Sequence, residues 1–151
     1  MKRCVECEND NFEKTKVPHR VRVTSTFKVD VEIPARQCTK CAETYTDGAD
    51  MERAEFEVAR RVADSGVVTG ETFRFMRRAL GLQSKELAEL LGVEPESVTR
   101  WEKGDRTMAP LAWLALAMLV VDRANGREDS QKMLKAIHYP TSLQKLFKVA
   151  Y

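Results

Sequence analysis

Four cysteines constrain this chain more than any other feature. Cys4 and Cys7 form one C-x-x-C pair, Cys38 and Cys41 form a second, and 30 residues separate the two. Each pair turns two thiolates toward a common point, and two such knuckles complete a tetrahedral shell of four sulfurs, which suits zinc. All four ligands come from the protein, so no coordination position is left for a substrate and the expected role is structural. Iron in a rubredoxin-like site satisfies the same spacing. A redox dithiol is the weaker reading, because such a pair stands alone beside a βαβ pattern that this chain lacks. The need for a metal is plain: residues 1 to 50 hold few large apolar side chains, chiefly Val17, Val21, Val23, Phe27, Val29, Val31 and Ile33. A core that small rarely holds alone, whereas structural zinc supplies on the order of 10 kcal/mol of folding free energy.

Between the knuckles, Val21-Arg-Val23 and Phe27 to Ile33 alternate apolar with polar at period two, as half-buried strands do. Thr24-Ser25-Thr26 is the turn between them, giving an antiparallel ribbon. His19, just before the first strand, is a candidate ligand, but with four thiolates available it reads better as an exposed polar residue. Residues 50 to 64 place Met51, Ala54, Val58 and Val62 at helical spacing, and Gly66 stops that helix, which reads as a linker. With 151 residues and 43% hydrophobic content, the chain has room for two small domains of ordinary composition. Met1 is followed by no apolar run, and the longest such run, Leu111 to Val121, spans eleven residues against the roughly 20 a membrane helix needs. A cytoplasmic address is the expectation, and thiols stay reduced there.

Gly81 to Arg106 reads as helix, tight turn, helix. Ser84 is the expected cap of the first helix, Gly92 ends it, Pro95 sits in the first turn of the second, and Gly104 closes that one. Leu87, Ala88 and Leu91 form one inward stripe, with Val98 and Trp101 inward from the second helix. Glu96, Ser97, Thr99, Arg100 and Lys103 remain outward, on a helix short enough to enter a major groove. LAELLGV and RWEKG resemble the helix-turn-helix of Cro and phage-repressor regulators, over roughly Gly70 to Asp122. Arg100, central on that face, is the residue suited to a bidentate contact with guanine, flanked by Glu96, Ser97 and Thr99. Gln83, Ser84 and Lys85 at the start of the first helix, with Lys103 and Arg106 after the second, are phosphate clamps by position. Residues 70 to 126 hold eight basic and eight acidic side chains, so no domain-wide positive charge attracts phosphates.

Phe73, Met76 and Leu80 share a face of the preceding helix, leaving Arg74, Arg77 and Arg78 largely outward. From Pro110 to Asp122 the pattern is a helix apolar all the way round, and a small domain has no second core for its far face. A homodimer covers that face, with Trp113, Leu116 or Val120 at the two-fold contact. The last 25 residues carry five basic and two acidic side chains and read as two short helices broken at Pro140, the first with Met133, Leu134 and Ile137, the second with Leu143, Leu146, Phe147 and Tyr151. His138 has no role in this reading.

The succession of C-x-x-C, ribbon, C-x-x-C, helical linker, LAELLGV and RWEKG resembles antitoxins of the MqsA family, also described as YgiT-type zinc finger and helix-turn-helix proteins. That resemblance covers residues 1 to 122. It implies an α+β chain: a zinc-binding β-ribbon module over 1–49, a helical linker over 50–69, a helix-turn-helix DNA-binding and dimerisation domain over 70–125, and a C-terminal extension over 126–151. It also implies structural zinc on Cys4, Cys7, Cys38 and Cys41, a toxin of ribonuclease class gripped by the zinc module, and repression of operator DNA by the rear module. The family often has Gly after each knuckle, where this chain has Glu8 and Ala42, and the extension is longer than the family leads one to expect. Two other readings stand beside the antitoxin: a zinc-containing regulator without a toxin, and an interaction adaptor that no longer binds DNA. No paired carboxylate, nucleophile with base, or phosphate loop appears in a convincing context, so an enzyme is not expected.

Overall fold

The computed structural model describes residues 3–147. Tyr151, assigned above to the last helix, lies outside them. The described chain is α+β, with a three-stranded antiparallel sheet in the order β1-β2-β3 followed by helices. Two compact units divide it, Met1–Val58 and Ala59–Tyr151.

In the first unit, β1 (Phe12–Arg22) pairs with β2 (Lys28–Cys38) along their whole length, from Phe12↔Cys38 to Arg22↔Lys28. β1 therefore starts nine residues before the alternation at Val21 announces a strand. The turn closes through Val23 N–H and Thr24 N–H on the Phe27 carbonyl, at 3.0 and 3.2 Å, and through Phe27 N–H on Thr24 Oγ1 at 3.0 Å. A short third strand, β3 (Thr44–Thr46), places Tyr45 opposite Arg36. Residues directly opposite share a face of the sheet. One face carries Val17, Val21, Val31, Ile33 and Ala35, with Val21, Ile33 and Ala35 buried. His19 belongs to this face and is only 20% exposed, with Nε2 3.6 Å from Glu55 Oε1; the reading of it as an exposed residue is corrected by the pleat, which turns the odd positions of β1 from Thr15 to Val21 inward. The other face carries Lys14, Lys16, Arg20, Arg22, Lys28 and Arg36, all exposed, against two carboxylates, Asp30 and Glu32. Asp30 is already engaged by Arg20 at 2.8 Å, and that guanidinium holds its carboxyl below the usual range.

α1 (Gly48–Ser65) follows and ends at Gly66, whose φ of +68° is left-handed. The second unit contains α2 (Gly70–Ala79), α3 (Ser84–Leu91), α4 (Pro95–Lys103), α5 (Pro110–Ala124), α6 (Asp129–His138) and the single turn α7 (Leu143–Leu146). Thr69 caps α2 by accepting the Thr72 N–H at 3.2 Å. Phe73, Met76, Leu87, Val98, Leu116 and Val120 form its core and are sealed from solvent; at about 1.5–3 kcal/mol each, such side chains dominate its stability. Trp101 meets Phe73 edge to face at 5.9 Å. Trp113 Nε1–H donates to Thr72 Oγ1 at 3.0 Å, so the buried indole is satisfied. Gly70 permits a close backbone approach, since a Cβ there would stand 1.9 Å from the Trp101 carbonyl oxygen.

Two expectations are revised here. Gln83, rather than Ser84, holds the N-cap position of α3, and its N–H donates to Glu86 Oε2 at 2.7 Å. Trp113, Leu116 and Val120 are core residues, 4% exposed or less; α5 shows solvent Leu111, Leu114 and Met118 instead. The all-apolar pattern hid which stripe faces inward, and the ring partner on Thr72 decides it.

Candidate metal centre and nucleic-acid interface

The four cysteine sulfurs lie within 4.8 Å of one another, with Cys4 to Cys41 and Cys7 to Cys38 both at 3.5 Å. Zinc–thiolate bonds of about 2.3 Å in a tetrahedron require sulfurs about 3.8 Å apart, so the cluster is of zinc-binding size. The two knuckles are built alike. Glu8 N–H donates to the Cys4 carbonyl at 2.9 Å and Ala42 N–H to the Cys38 carbonyl at 3.0 Å. Cys4 N–H then bonds the Asn9 carbonyl and Cys38 N–H the Glu43 carbonyl, each at 2.8 Å. Both knuckles turn through left-handed residues one place after the second cysteine, Glu8 at φ +57° and Ala42 at φ +63°.

The sulfur electrostatics follow the same repeat. Cys38 is lowered to about 6, first by the Cys41 amide and further by Asn9 and the Lys40 amide, despite burial. Cys4 is lowered chiefly by the Tyr45 hydroxyl, with help from the Cys7 and Glu6 amides. The trailing cysteines receive one amide each. Although the Glu43 amide favours the Cys41 thiolate, burial and the neighbouring sulfurs push that group up to about 12, and Cys7 is raised in the same way against the Asn9 amide. Two of the thiols are thus shifted toward the thiolate, and two are opposed by burial and by the neighbouring sulfurs. A divalent cation at the centre removes that opposition, which is why this donor set fits zinc.

Sequence reasoning missed two side chains that orient the sulfurs. Tyr45 Oη accepts Val5 N–H at 3.0 Å and shares a hydrogen bond with Cys4 Sγ, 3.2 Å away. Asn9 Nδ2 reaches Cys38 Sγ at 3.4 Å and Thr39 Oγ1 at 3.0 Å. Tyr45 carried a signal in the alternation of Thr44-Tyr45-Thr46; Asn9 carried only its place two residues after Cys7. Such outer partners fix thiolate orientation.

The second constellation is α3, turn and α4. Gly92 ends α3 at φ +65°, its N–H bonding the Glu89 carbonyl at 3.2 Å, while Val93 N–H takes the Ala88 carbonyl at 3.0 Å. α4 buries Val98 and Trp101 and leaves Glu96, Arg100 and Lys103 exposed, with Ser97 and Thr99 half-buried. Thr99 Oγ1 turns back to donate to the Pro95 carbonyl at 3.3 Å, leaving its lone pairs outward. Arg106 is exposed, with Nη1 3.4 Å from Ser97 Oγ. Gln83 and Lys85 are exposed and Ser84 is half-buried at the opening of α3.

Arg77 departs from its expected outward position. Its guanidinium forks onto both carboxylate oxygens of Glu102, with Nη2 to Oε2 at 3.0 Å, and Nη1 donates to the Leu82 carbonyl at 2.8 Å. Both side chains are nearly buried, 12% and 8% exposed, because the α2–α3 corner closes over them. This pair ties α2 to α4. Arg74 and Arg78 are exposed.

No helix is long and apolar enough to cross a membrane among the described residues. A search of curated proteins found no match. The family model described as the antitoxin component of bacterial toxin-antitoxin systems, MqsA, matches residues 1–126, which span both knuckles, the sheet, α1 and the whole helix-turn-helix. On that match the chain belongs to the MqsA antitoxin family.

Proposed function

We propose that the chain is the antitoxin of a type II toxin-antitoxin pair, with zinc held structurally by Cys4, Cys7, Cys38 and Cys41, and that it represses its own operator. Zinc, when bound, supplies charge neutralisation and cross-linking; the sheet, held by those sulfurs, is the docking module for a toxin of ribonuclease class. The six cations on the open face of the ribbon suit an acidic surface on that partner. α4 enters the major groove, Arg100 takes guanine, and Glu96, Ser97 and Thr99 contact neighbouring bases. Gln83, Ser84, Lys85, Lys103 and Arg106 meet phosphates. A homodimer through Leu111, Leu114 and Met118 of α5 places the two reading helices about 34 Å apart, or at a multiple of that. The expected setting is the cytoplasm.

The observation that carries the reading is Arg100, exposed at the centre of a polar α4 face whose angle is set by Gly92 and by the Arg77–Glu102 fork. Arg100→Glu tests it: binding to a duplex from the region upstream of the gene should be lost while the circular dichroism spectrum is unchanged. Unchanged binding rejects a reading helix and favours the adaptor, which the equal numbers of basic and acidic side chains in residues 70–126 otherwise support. Co-purification of the neighbouring gene's product separates the antitoxin from a regulator that has no toxin.

A further inference from the structure

Residues 127–151 lie beyond the family match, yet α6 is fastened at its start to α5 and at its end to α3 of the helix-turn-helix. At its start, Ser130 N–H donates to Asp122 Oδ2 at 2.7 Å, and Arg127 pairs with Asp129. At its end, His138 Nε2 lies 3.2 Å from the Leu90 carbonyl oxygen. A carbonyl only accepts, so Nε2 carries the proton. The ring also lies on Gly92: a Cβ added there would stand 2.6 Å from His138 Cε1.

The contact falls on the one corner that decides where α4 points. The carbonyls of Ala88 and Glu89 are taken by the amides of Val93 and Gly92, and the next one along α3, that of Leu90, is taken by the histidine. Between its two fastenings α6 runs over an open groove of about 620 Å³ floored by Leu80, Leu82, Leu90 and Leu119. Met133 and Ile137 are 66% and 72% exposed and Leu134 is half-buried, so this helix buries only part of its apolar face. A helix packed so lightly adds little hydrophobic stability. What it adds is position, applied to the Leu90–Gly92 corner.

We infer that His138 is a positioning residue for operator binding, holding the α3–α4 turn so that Arg100 meets the groove at a set angle; this rests on the DNA-binding reading above. The test uses the full-length protein and a duplex from the region upstream of its gene. His138→Ala should weaken binding about fivefold, the equivalent of one hydrogen bond of about 1 kcal/mol. His138→Gln, whose amide reaches the same carbonyl, should recover most of that loss. Amide exchange at Gly92 and Val93 should quicken in His138→Ala and return in His138→Gln, with the thermal midpoint unmoved in both. Equal binding by His138→Ala and the unsubstituted protein overturns the inference and leaves the DNA reading standing. So does a loss that the glutamine does not recover, or one that merely follows a fallen midpoint. Failure of the unsubstituted protein to bind the duplex sinks the DNA reading and the inference together.

Discussion

Single residues carry much of this molecule because its units are small. The Arg77–Glu102 fork is nearly buried, and removing one partner strands the other's charge in a poorly solvated corner. Glu102→Ala should therefore destabilise the second unit by about 3 kcal/mol, read from urea unfolding, whereas a double replacement by apolar residues of similar volume should cost much less than twice that. The sequence did not disclose the fork, since an Arg in a run with Arg74 and Arg78 reads as surface; Glu102, 25 residues away, becomes its partner only when α2 and α4 close. Arg100 is the opposite case. Its outward place follows from the inward pull of Val98 and Trp101, and a helical wheel suffices to see it.

Among elements, the knuckles are the clearest place to test local conformation. Glu8 and Ala42 occupy left-handed backbone that glycine adopts without penalty. Glu8→Gly and Ala42→Gly should each make metal loss to a competing chelator slower, with a gain of about 1 kcal/mol in module stability. Helix α6 offers a pH test. The Ser130 side chain and amide hold the Asp122 carboxyl below its ordinary value, so this docking is present above about pH 4, the unfolded carboxyl range, and is lost as pH falls through the lower folded value. Amide exchange at Ser130 should quicken on acidification through that window, and Asp122→Asn should abolish the dependence. The α+β order, the turn at residues 24–26 and the helix-turn-helix were legible because period and punctuation agree there. β1 from Phe12 to Arg20 was not, because Glu13, Lys14, Lys16 and Arg20 dilute its alternation, and only pairing with β2 completes it. Nor was the buried stripe of α5: where every position is apolar, periodicity carries no direction.

The whole chain joins a sulfur-built sheet with almost no core to a helical unit that has one. In the first unit the buried side chains are few, with Cys4 and Cys38 among them. Stripping the metal with a high-affinity chelator should broaden the resonances of residues 4–46 and leave those of α2 to α5 dispersed, because the second unit's core of Phe73, Met76, Leu87 and Leu116 owes nothing to the cysteine cluster. The family match and the cysteine cluster meet in one claim, that metal-held docking and helical DNA reading belong to a single antitoxin chain. Native mass spectrometry of the protein co-expressed with its neighbouring gene addresses that claim most directly. The account requires one zinc-mass increment per chain and a complex containing the neighbour's product; a folded chain carrying neither ion nor partner would contradict it.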